Sequence, residues 1–210
     1  GSNYPSSPGV ISVLPGLAPG GIPNGTFGTR IDTPFAGTPL GLATDDLNAD
    51  GRPDLIVGNW GGTTVVVLLG TGGGQFAAPL PFAAGSKPYE VLTGDFNSDG
   101  VRDLAVADNG ENSVRILIGG NDGSGHWNGS FAPSVPYVTS DLSLSIVSGD
   151  FNNDGITDLV ATESFAQTVA VFLGNGSAGH GDGTFLAAVH APAGVEPYEL
   201  ATGDLNEDGR

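Results

Sequence analysis

One ten-residue pattern recurs along the chain: DLNADGRPDL from Asp46, DFNSDGVRDL from Asp95 and DFNNDGITDL from Asp150. A shorter form, DLNEDGR, starts at Asp204. The four starts lie 49, 55 and 54 residues apart. A repeat of this length limits the fold more than any bulk property. Each unit is one supersecondary element that buries its apolar surface only by stacking on its neighbours.

The units match beyond the loop. Each loop runs into a short apolar stretch: LIVGNW from Leu55, LAVADN from Leu104, LVATES from Leu159. A second apolar stretch ending in glycine follows: TVVVLLG from Thr64, SVRILIG from Ser113, TVAVFLG from Thr168. A glycine-rich turn then leads to Phe76, Phe131 or Phe185. VISVLPG from Val10 and GTFG from Gly25 fit the back half of the same frame. The organisation is therefore a back half-unit (residues 1–41), three full units (42–90, 91–145, 146–199) and the front of another (200–210).

The stretches are short, rich in Val, Leu, Ile and Thr, and bounded by Gly, Asn, Asp and Pro, as strands are. No segment holds a 3.6-residue apolar period over three turns. The stretch VVVLL from Val65 does not alternate with polar residues, so it needs cover on both faces. Four short strands in each unit of roughly 50 residues, stacked on both sides, describe a propeller blade. The expected fold is an all-β propeller segment of about four four-stranded blades. An unpaired final edge would be unusual, so the chain reads as a piece of a longer protein or as one part of an assembly joined at that edge. The absence of methionine agrees with a processed or partial chain.

Within the first loop, oxygen side chains stand at Asp46, Asn48, Asp50 and Asp54, loop positions 1, 3, 5 and 9. Gly51 takes position 6, where a chain folding around an ion turns sharply, and Arg52 at position 7 offers its carbonyl. Water would complete the ~6–8 oxygens that calcium prefers. Three carboxylates in so short a loop repel one another unless a cation lies between them. Without cysteine, soft-metal thiolate sites are impossible, and an all-oxygen set suits a hard dication. An EF-hand requires Glu at position 12, where this chain has Val57, Val106 and Ala161.

These D-x-N-x-D-G-x-x-D-L loops, with GQF or GTF downstream, resemble the FG-GAP and VCBS repeats of integrin alpha-subunit propellers and of secreted bacterial proteins. The resemblance implies a β-propeller with calcium in the loop joining the first two strands of a blade. By position, the second site is Asp95, Asn97, Asp99, the Val101 carbonyl and Asp103. The third is Asp150, Asn152, Asp154, the Ile156 carbonyl and Asp158. The fourth has Asp204, Asn206 and Asp208 but lacks position 9, so it is incomplete. The family usually has seven blades, and this chain supplies about four.

The chain carries 23 acidic against 6 basic residues, a formal charge of −17. This excludes nucleic acid, which needs clustered Lys and Arg, and an anionic membrane surface. No run is apolar enough to span a membrane. Calcium sites of extracellular modules bind at ~10⁻⁴–10⁻³ M, filling outside cells, so the expected location is secreted or at the cell surface. His126, His180 and His190 read as solvated histidines, and no nucleophile elbow or phosphate loop is present. The carboxylates are assigned to calcium, so no enzymatic role is expected.

In an up-and-down blade the loops alternate between two faces. The calcium loops and glycine-rich turns share one face. The other carries Trp60 and Phe165 at loop tips, together with the segments near Lys87, Asp141 and Glu196. These two rings are candidate ligand-binding residues for a protein or a glycan. The expected role is adhesion, recognition or structural assembly. A calcium-dependent lectin is the alternative, and a polysaccharide lyase a more distant one.

Overall fold

The structure, a computed structural model, describes residues 9–17 and 22–203. The fourth loop, with Asp204, Asn206 and Asp208, lies outside the described residues. Among the described residues there is no helix, and strands account for all the regular structure.

The first two strands, β1 (Gly9–Val13) and β2 (Ile31–Phe35), pair antiparallel. Blade one follows as β3 (Pro39–Asp45), β4 (Asp54–Asn59), β5 (Thr64–Leu68) and β8 (Leu80–Ala83), hydrogen-bonded in that order. A small hairpin, β6 (Gly70–Gly72) with β7 (Gln75–Phe76), is inserted before its last strand. Blade two repeats this with β9 (Pro88–Gly94), β10 (Asp103–Asp108), β11 (Ser113–Leu117) and β14 (Val135–Val138), and with the hairpin β12 (Gly119–Asn121) and β13 (Trp127–Phe131). Blade three consists of β15 (Ile146–Gly149), β16 (Asp158–Glu163), β17 (Thr168–Phe172) and β20 (Val189–Pro192), with β18 (Gly174–Ser177) and β19 (His180–Phe185) as its hairpin. The result is three four-stranded antiparallel sheets and a partial propeller, as the repeat predicts.

One pairing recurs in every hairpin. Each hairpin opens with a glycine paired to the repeat phenylalanine: Gly70 with Phe76, Gly119 with Phe131, Gly174 with Phe185. Gly16 bridges Phe27 in the same way.

The doubly apolar strands are sandwiched between neighbours. Along β4 and β5, Ile56, Val65 and Val67 face blade two, where they meet Val91, Leu104 and Val106. The alternate residues Val57, Val66 and Leu68 turn the other way, to Ile11 and Phe35 of the N-terminal pair. In blade two, Ala105, Ala107, Val114 and Ile116 leave that first interface and pack on Leu159, Ala161 and Phe172 of blade three. Period-two strands thus send alternate side chains into two different cores. A polar substitution on either face of a central strand strikes one of them.

Trp127 lies in the glycine-rich segment that leads to Phe131. It begins β13, is 7% exposed, and packs edge-on against Phe82 and tilted against Phe131. Its indole N–H donates to the Ser130 carbonyl. It belongs to the core between blades one and two.

Candidate functional site

The three complete aspartate loops join the first two strands of their blades and share one local structure. In the first, Asp46 accepts from the Asp50 and Gly51 amides, Asn48 from the Asp50 amide, and Asp50 from the Arg52 amide. The second repeats these bonds with Asp95, Asn97 and Asp99 on the amides of Asp99, Gly100 and Val101. The third does so with Asp150, Asn152 and Asp154 on Asp154, Gly155 and Ile156. Position 6 is left-handed throughout, with φ of 82° at Gly51, 84° at Gly100 and 83° at Gly155, a conformation glycine alone adopts without cost. Position 4 is left-handed too, at Ala49, Ser98 and Asn153. The side-chain oxygens of positions 1, 3 and 5 turn inward upon the loop's own amides.

The aspartate at position 9 behaves differently. Asp54, Asp103 and Asp158 are each 0% exposed. One oxygen of each accepts the position-2 amide, from Leu47, Phe96 or Phe151. The other accepts the first amide of the inserted hairpin, from Gly70, Gly119 or Gly174. Two bonds of 2.8–3.0 Å therefore clasp each loop to the strand pair beyond it. Burial pushes the Asp103 carboxyl up to about 6, and the nearby Asp99 and Asp95 charges add to it against the pull of its two amides. Burial also raises Asp54, again with help from Asp50 and Asp46.

Among the described residues, no three carboxylate or histidine side chains are gathered closely enough to form a ready metal cage. The loops nonetheless fit calcium by the chemistry of their donors. All are oxygens, most are anionic, and their mutual repulsion is what a hard dication offsets. Asp46, Asn48, Asp50 and Asp54, with their counterparts in the other two loops, are the side chains that would hold it. The side chains at position 7 have separate fates. Val101 and Ile156 are buried, while exposed Arg52 reaches the Asp50 carboxylate at 3.3 Å.

The opposite face carries the turns after β4, β10 and β16. Trp60 and Phe165, 105 positions apart in sequence, line one cavity of about 300 Å³. Tyr89, Tyr198 and Glu196 line it with them. An adjoining cavity of similar volume is lined by Glu90 and Glu199. The Lys87 ammonium lies 5.6 Å from the Trp60 ring centre, within cation–π range.

Behind this rim, the last residue of each second strand accepts the amide of an incoming connection. Asn59 accepts from Thr38, Asp108 from Ser86 and Glu163 from Ser140. Each has different additional company. Asp108 pairs with Arg115 at 2.7 Å, and Arg115 also grips Glu111. Glu163, 0% exposed, also accepts from Thr168 at 2.6 Å and contacts His190 Nδ1 at 2.8 Å. Burial works against its charge, but these bonds outweigh it and hold Glu163 below the usual carboxylate range. His190 is thus a strand residue with a specific partner, not a solvated loop histidine.

No curated protein matches the chain. A family model described as the FG-GAP-like repeat matches it three times, over residues 46–106, 95–161 and 150–210. Each match starts at one aspartate loop, and the first two end inside the second strand of the following blade. Loop, hairpin and inter-blade packing therefore recur with the period of the match, and the chain belongs to the FG-GAP-like repeat family.

Proposed function

We propose that this segment is a calcium-stabilised recognition module working outside the cell. The observation that carries the reading is the buried aspartate at position 9. Three times, an anion with no exposure stands in one loop with two further carboxylates. Such an arrangement costs free energy unless a cation shares the site. Calcium at each loop offsets the repulsion, fixes a turn with two left-handed residues, and holds the clasp that ties the loop to the hairpin of its own blade. It stabilises the native state by mass action in proportion to its free concentration.

Affinities of ~10⁻⁴–10⁻³ M for such modules match extracellular rather than cytosolic calcium. The rigid loop face then supports the opposite face, where Trp60 and Phe165 open onto the shared cavity. The module acts by binding rather than by catalysis. Its test is thermal melting in chelator and in millimolar calcium. The reading predicts a large rise in Tm with calcium, and a lesser rise with magnesium, which prefers a smaller octahedral site. An unchanged Tm would overturn it.

A further inference from the structure

The cavity on the face opposite the loops combines rings with carboxylates. Trp60, Tyr89, Phe165 and Tyr198 supply aromatic surface, and Glu196 stands among them. Glu90 and Glu199 line the adjoining space. Among the described residues, neither lining includes Lys, Arg or His. Carboxylates only accept hydrogen bonds when ionised. The Ser164 hydroxyl already donates to the Pro197 carbonyl. Such a lining favours a ligand that brings donors and positive charge together with apolar surface.

The repeat itself supplies a comparison. Lys87 and Glu196 occupy the same place in the first and third full units, each preceding a proline and each with positive φ, at 58° and 48°. At the first, the lysine lies over the ring of Trp60, from the same unit. At the second, the ring is Phe165, 68% exposed, and the neighbouring position holds an acid instead of a base. The chain thus pairs one ring with its own cation, and beside the other it sets an anion.

We propose that this cavity binds an arginine or lysine side chain of a basic protein partner. The cation stacks on Phe165 and is held by Glu196. This names the partner class of the recognition face and rests on that reading. The molecule's charge of −17 would also steer a basic partner toward it.

The test uses an acetylated arginine-rich peptide and its citrulline counterpart, which keeps the shape and loses the charge. Methyl glucoside serves as a sugar probe. Binding is followed by calorimetry and by Trp60 emission, with the loops saturated with calcium. Trp127, in the core, is the silent background. The arginine peptide is expected to bind about tenfold more tightly than the citrulline peptide. Phe165→Ala and Glu196→Gln, both at exposed positions that tolerate change, should each weaken it several-fold. Asp122→Asn, an exposed acid on the loop-side hairpin, should leave it unchanged. Equal binding of the two peptides overturns the proposal. So does methyl glucoside binding in their place, or a loss from Asp122→Asn as large as that from Glu196→Gln. Calcium loading is read separately by melting, so a failure of the loop assignment does not obscure this result.

Discussion

The two faces of the blades are built on opposite principles. On the loop face, three copies of one design agree bond for bond, with the same donors and acceptors at 2.8–3.1 Å. On the opposite face, one topological position is Asn59, Asp108 or Glu163, with a different set of partners each time. The repeated face sets the spacing of the blades. The varied face is free to differ because each blade closes its own second strand with local chemistry. A module that must keep its frame while choosing a partner has reason to separate the two tasks in this way.

The sharpest way to break the contrast is at the clasp. Asp103→Ala orphans the buried Phe96 and Gly119 amides together, at a cost of about 1–3 kcal/mol each. Urea denaturation in calcium should show that loss, and Asp54→Ala and Asp158→Ala should behave alike if the loops are equivalent. The opposite face should not be uniform. Arg115→Ala leaves Asp108 buried without its partner, a loss of roughly 3 kcal/mol. His190→Ala leaves Glu163 two other donors and should cost about 1 kcal/mol. Equal effects of these two substitutions would contradict the blade-specific account.

A subtler difference concerns pH. With Asp103 raised to about 6, the folded chain in chelator holds a proton that the unfolded chain releases near pH 4. Stability from this group therefore falls as pH rises from about 4 to about 6. Glu163 acts in the other sense, because its lowered carboxyl loses its contribution as pH falls through the acid range. Calcium should abolish the first effect, since the ion replaces the proton, and leave the second. Melting curves across pH 4–7, with and without calcium, and with Glu163→Gln, separate the two.

The strands and the recurrence of the loops were legible because period and spacing repeat. Asp46, Asn48, Asp50 and Gly51 announce a turn by their residue types alone. The structural task of Asp54 was not legible as a ligand position, since its partner amide at Gly70 lies 16 residues away in another element. A signal was present all the same. Asp103 and Asp158 are also followed by a glycine 16 positions later, at Gly119 and Gly174. The inward packing of Trp127 was not legible, because blade two has a longer hairpin than blade one and length alone does not say which end packs inward. His190 was missed because its partner Glu163 is 27 residues away, two strands apart in the same sheet. Trp60 and Phe165 were recognised singly, but their shared cavity depends on how blades one to three converge.

On the proposed reading, the repeated face is a row of cation sites. Calcium bound per folded chain, counted after equilibrium dialysis in millimolar calcium, tests it most directly. Three ions per chain are expected from the three complete loops, falling to two in Asp95→Ala/Asp99→Ala with the fold retained. A folded chain that binds none, or a double variant that binds as many as the parent, would contradict the claim.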